Sequence, residues 1–137
     1  IYLITKFLMV KLLIKIQSAS DIITNSSSEV FLCKNTTDMT AEQLKDFIYQ
    51  YNEEHQYNGD WEEYCDMERE EKEKYDVGGG MGGFLDVKTY KEAMEDEYDY
   101  VYFEDLKDPE NYILVDTDWC HLATIKWITE NLNARYA

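Results

Sequence analysis

Proline occurs once in these 137 residues, glycine is scarce outside one short run, and cations are outnumbered, with 13 Lys and Arg against 29 Asp and Glu. Each scarcity removes a class of protein. A formal net charge of −16 leaves no positive field for naked nucleic acid or an anionic membrane surface, and no local basic patch interrupts the acidity. Cys33, Cys65 and Cys120 are odd in number and far apart, which excludes a complete disulfide framework and a CxxC metal or redox pair. They suit a reducing, cytoplasmic setting. Nucleophilic catalysis has only His55 and His121 to supply a base. Cys120 adjoins His121, but neighbours on a helix point in different directions, and His55 lies in a polar stretch expected to be solvated. No apolar run reaches the about 20 residues of a spanning helix, because Lys6, Lys11 and Lys15 interrupt the most apolar stretch.

What is present is enough apolar material to fold. At 45% hydrophobic, the chain is predicted to form one domain that buries roughly two-thirds of its unfolded surface. Residues 1–8, ahead of Met9, are expected to be an upstream extension or fragment edge, with residues 9–137 as the domain. Val10, Leu12, Ile14 and Ile16 alternate as in a half-buried strand, and Glu29 to Lys34 reads as a second. Ala41, Leu44, Phe47, Ile48 and Tyr51 share one helical face from Thr40 to about Glu53. Thr40 with Gln43 fits a capping box, and Met39 with Leu44 a hydrophobic staple. A second helix is predicted over Asp60 to Lys74, supported by Glu68–Lys72 and Glu70–Lys74 pairs. Five of the six glycines fall between Val77 and Phe84, making residues 77–84 a loop; the run lacks nucleotide-cradle spacing. Strands are predicted at Phe84 to Tyr90, Tyr98 to Phe103 and Tyr112 to Asp116, with a helical turn at Lys91 to Glu97. A last helix is predicted from Asp118 to about Asn133, carrying Leu122, Ile125, Ile128, Leu132 and Tyr136 on one stripe and Trp127 away from it. The expected fold is α+β, a mixed or antiparallel sheet of about four or five strands with helices on one face.

Three groups of residues carry candidate chemistry. Asp116, Asp118 and His121 fall where a strand passes into a helix, a place where strand-end side chains and free helix N–H groups converge. Two carboxylates and an imidazole are a donor set for Mg²⁺, Mn²⁺ or Zn²⁺, and so for a metal-assisted hydrolase or phosphoryl-transfer enzyme. Against that, Asp118 suits a helix cap, and His121 shares the stripe of Ile125 and Ile128 as a core histidine would. A polar loop gathers Ser20, Asp21, Thr24, Asn25, Ser26, Ser27, Ser28 and Glu29, able either to hold a polar ligand or to satisfy its own backbone. Finally, residues 53–118 hold 23 of the 29 acids and eight of the twelve tyrosines. Tyrosine offers contact area at low entropic cost and carboxylates offer charge complementarity, so Trp61, Tyr64, Tyr98, Tyr100 and Tyr102 are candidate anchors for a basic protein surface.

The string Asp21-Ile22-Ile23-Thr24-Asn25-Ser26-Ser27-Ser28-Glu29-Val30-Phe31 resembles an element near the start of many small proteins of tailed phages and prophages. The resemblance covers about a dozen residues and implies a viral or prophage origin with expression in the host cytoplasm. It carries no activity to any residue. The expected function is a non-enzymatic acidic interaction protein, an inhibitor or mimic that binds a basic host or viral protein, without nucleic acid, membrane or cofactor. The metal-assisted enzyme and a minor virion component are the alternatives.

Overall fold

Phe31 and Cys33 point to one side of β1 (Glu29–Lys34) and Leu32 to the other, and all three are buried, so β1 is an interior strand apolar on both faces. In the computed structural model, which describes residues 29–77, 84–96, 103, 106–118 and 120–136, the fold is an α+β domain around one sheet. β2 (Leu85–Thr89), β3 (Tyr112–Thr117) and β4 (Asn133–Tyr136) complete a four-stranded sheet in the order β2-β3-β1-β4. Every pairing is antiparallel, and Phe31 lies opposite Val115 on β3 and Tyr136 on β4.

The two longest helices cover the Phe31 face. On α1 (Ala41–Glu54), Leu44 and Ile48 are buried, and the helix begins with the capping box that Thr40 and Gln43 predict. α5 (Leu122–Asn131) supplies Leu122, Ile125 and Ile128 to the same core, with Leu132 just beyond its end. The Leu32 face is covered differently. Leu32 and Leu114 pack with Ala93 of α4 (Tyr90–Glu95) and with Phe103, flanked by Leu106 and Tyr112. No helix among the described residues is long and apolar enough to cross a membrane.

The structure departs from the sequence expectations at two helices. The helix predicted over Asp60 to Lys74 is two short ones, α2 (Trp61–Asp66) and α3 (Arg69–Lys72), because Met67 is extended and packs toward Tyr64 and Val77. That break re-pairs the charges: Lys74 meets Glu71 at 2.9 Å, and Lys72 sits over the Tyr64 ring. The last helix starts four residues later than Asp118 and stops at Asn131, where the Thr36 hydroxyl donates to the Asn131 carbonyl. Leu132 is extended, and Tyr136 joins β4 and tilts against the Phe31 ring instead of continuing the helical stripe. The predicted strands at Val10–Ile16 and, apart from Phe103, Tyr98–Phe103 lie outside the described residues.

α1 and α4 are tied by Lys45 and Glu92, whose Nζ–Oε distances are 2.7 and 2.6 Å, while Glu92 also closes the Thr89 capping box. Desolvation alone would raise the Glu92 carboxyl, but the Lys45 ammonium and the Thr89 donors outweigh it and hold it below its ordinary range; the Glu92 hydrogen bond raises Lys45. A depressed acid stabilises above its ordinary value of 4.5 and loses that contribution as pH falls through the folded value; a raised lysine loses its contribution as pH climbs above 10.5. Glu92→Gln should therefore cost stability at neutral pH and nothing in strong acid, by less than about 1 kcal/mol for a half-buried pair still screened by solvent. Urea melts of both proteins across pH 3 to 7 (roughly the span over which a carboxylate titrates) check this, and a difference that does not shrink in acid contradicts it.

Candidate functional site

Three residues just ahead of the glycine run, Tyr75, Asp76 and Val77, are held on two sides by backbone. On one side the Asp76 N–H donates to the His55 carbonyl at 2.8 Å and the Tyr57 N–H donates to the Asp76 carbonyl at 2.9 Å. On the other, Val77 N–H donates to Cys120 and Ala123 N–H donates to Tyr75. The Asp76 side chain, fully buried, then turns into the N-terminus of α5: Oδ1 accepts from the Thr124 N–H at 3.0 Å and Oδ2 from the Thr124 hydroxyl. Helix α5 has no side-chain cap of its own, since His121 occupies the cap position without such a bond. A carboxylate 48 positions away in sequence caps it instead. Burial pushes the Asp76 carboxyl up, and the Thr124 donors and the charge of His121 pull it back without cancelling the shift.

Asp118 and His121 sit beside this junction. Asp118 accepts from the Cys120 N–H at 3.0 Å and, through Oδ2, from the Phe84 N–H at 3.2 Å; the Thr117 hydroxyl donates to the Phe84 carbonyl. The end of β3 thus holds the start of β2 by both sides of one peptide residue. His121, only 3% exposed, has Nδ1 3.3 Å from Asp118 Oδ1. The cap role expected of Asp118 is therefore taken by Asp76, and Asp118 instead closes the turn into α5. Asp116 lies elsewhere: its register opposite Asp86 puts it on the sheet face of Leu114. Among the described residues no three His, Cys, Asp or Glu side chains come together in a group able to hold a metal, so the structure does not bring Asp116, Asp118 and His121 to one point. Cys120 is buried, and desolvation followed by the Asp118 charge pushes its thiol up to about 11, which leaves it protonated and a poor nucleophile near neutral pH.

The acidic surface is most concentrated on α2 and α3. Glu62, Glu63, Asp66, Glu68 and Glu70 are all exposed, and none of them has a cationic partner within ion-pair distance among the described residues. Trp61 is half-buried there, stacked on Tyr64 with ring centroids 5.2 Å apart. Tyr64 is 2% exposed, packed with Val77 and Cys120, and burial pushes its hydroxyl up to about 12; it is a core residue and not the surface anchor the sequence suggests. Tyr98, Tyr100 and Tyr102 lie outside the described residues, as does every member of the polar loop from Ser20 to Ser28. Glu29 opens β1 opposite Thr117. His55 is half-buried and not fully solvated: its ring stacks on Tyr51 at 3.8 Å. Sequence reasoning passes over Asp76, whose only local sign is an acid between Tyr75 and Val77. No family model, curated protein or solved structure matches the chain.

Removing the Asp76 carboxylate strips α5 of its cap and orphans a buried hydroxyl, so Asp76→Ala should destabilise by about 3 kcal/mol and Asp76→Asn by about half as much. Equilibrium unfolding in urea measures both, and a full loss at Asp76→Ala with none at Asp76→Asn would show that the carboxylate matters only as volume. Thiol labelling gives a second check. The native protein should expose one reactive cysteine, Cys65, with Cys33 and Cys120 labelled only on unfolding.

Proposed function

We propose that the protein is a non-enzymatic acidic interaction protein of the tailed-phage type its Asp21–Phe31 string resembles, acting in the host cytoplasm by docking on a basic protein surface of host or virus. The observation that carries this reading is the run of exposed carboxylates on α2 and α3 that have no cationic partner among the described residues, set beside the half-buried Trp61. Five like charges on about a dozen residues destabilise their own helices, which is consistent with the break at Met67, and they favour a complementary cationic face through long-range attraction and fast encounter. Trp61 supplies an aromatic contact at the edge of that field. The fixed strip at Tyr75–Val77 sets where the acidic segment leaves the core, so the charges are presented on a defined frame.

The test is calorimetry with a lysine-rich peptide at two ionic strengths. Binding should weaken steeply as salt rises, and the combined Glu62→Lys, Glu63→Lys and Glu70→Lys protein should bind about tenfold or more weakly at low salt. Its stability should change by no more than about 0.5 kcal/mol per site. Binding that ignores salt, or survives charge reversal, contradicts the reading.

A further inference from the structure

A concavity of about 370 Å³ opens between α1, the Glu73–Lys74 turn and α5, lined by Tyr51, His55, Glu73, Lys126, Trp127 and Glu130 among others. We propose that it takes an arginine side chain of the basic partner, which specifies the chemistry of the docking reading above and rests on it. The first argument is the aromatic wall. Tyr51 and His55 are stacked nearly parallel, 18° apart, and the Trp127 ring lies 5.9 Å from Tyr51 with Phe47 packed behind it at 4.8 Å. The His55 ring is fixed, because its Nδ1 donates to the Tyr51 carbonyl, an acceptor only, at 2.7 Å. Trp127, placed off the core stripe by the sequence, is half-buried: it packs against the main core and also lines the concavity. Tryptophan and tyrosine so placed are the residues that dominate binding energy at protein contacts.

The second argument is unspent acceptor capacity. The Glu73 side chain is 11% exposed and accepts no hydrogen bond among the described residues. Its cation, Lys126 Nζ, stands 3.8 Å from Glu73 Oε2 and 3.9 Å from Glu130 Oε1, whereas a charge-assisted hydrogen bond closes to about 2.8 Å. One lysine is thus shared loosely by two carboxylates and bonded to neither. Lys74 does not help, because its Nζ is committed to Glu71 at 2.9 Å. A guanidinium satisfies every element at once: its plane stacks on Trp127 or Tyr51, its fork meets a carboxylate with two parallel N–H donors, and its charge replaces that of Lys126, whose long stem lets the ammonium swing into water. A lysine ammonium from a partner matches the charge and lacks the plane and the fork.

The experiment titrates N-acetyl-arginine methylamide into the full chain and follows the Trp127 indole N–H and the His55 ring by NMR, with the lysine and citrulline counterparts as probes of charge and shape. Arginine should shift both signals saturably, lysine should bind about tenfold more weakly, and neutral citrulline should leave them unmoved. Glu73→Gln and Glu130→Gln should each weaken arginine binding, and Lys126→Met, which removes the competing cation, should strengthen it; melting curves show that each variant folds. Shifts confined to residues 60–70, equal responses to arginine and lysine, or indifference to Glu73→Gln together with Glu130→Gln overturn the proposal. The lysine-rich peptide separates the two readings. If it binds with salt dependence while arginine bypasses the pocket, the pocket alone fails; if arginine fills the pocket while the peptide does not bind, the acidic docking face fails and the arginine site remains.

Discussion

A buried carboxylate at the start of α5 decides how the parts of this protein meet. Asp76 is fully buried and capped onto Thr124, and its own backbone is bonded to residues 55 and 57 on the side away from α5. An acid in such a place is costly unless its oxygens are satisfied and a positive end faces it, which is what the α5 N-terminus and the Thr124 hydroxyl provide. The consequence is geometric. The end of α1, the short helices α2 and α3 and the start of α5 are fixed relative to one another through three residues.

Both surfaces with candidate function hang from this joint. The acidic run on α2 and α3 leaves the core just ahead of Asp76, and the concavity beside it borrows Glu73 and Lys74 from the same stretch, Tyr51 and His55 from α1, and Lys126 and Trp127 from α5. On the proposed reading, the carboxylates of α2 and α3, without a cationic partner among the described residues, attract a cationic surface from a distance, and the aromatic pocket with its two loosely held carboxylates discriminates among cationic side chains at contact. Attraction and selection are separate physical tasks, placed here on adjacent elements whose relative position one buried residue sets. The Asp118 turn serves a different end, clamping the Phe84 peptide so that β2 begins in register with β3.

Local signals were legible in the sequence and long-range ones were not. The Thr40–Gln43 box and the Leu44, Ile48 stripe specify α1 through contacts within a few residues, and the structure has both. The runs at Glu29–Lys34 and Tyr112–Asp116 are legible as strands, and the sheet makes them its two inner ones, buried on both faces. Met67 breaks a helix because the Tyr64 and Val77 cluster draws it inward, and Tyr136 leaves a helical stripe because the edge of β1 offers it a partner. Neither pull is written in local periodicity. The same holds for the site: Asp118 and His121 looked like a cap and a core residue from spacing alone, and burial of His121 agrees, but the cap itself comes from Asp76, beyond the reach of any motif.

Native-state hydrogen exchange of the Asp76 and Thr124 amides tests this account most directly. If the Asp76 joint holds α1, the acidic segment and α5 as one cooperative unit, both amides exchange only through global unfolding, with the same free energy as the Phe31 and Val115 amides at the centre of the sheet. Exchange of Thr124 or Asp76 through a smaller opening, well below the stability of the sheet, would mean that the strip detaches on its own and that neither surface rests on a fixed frame.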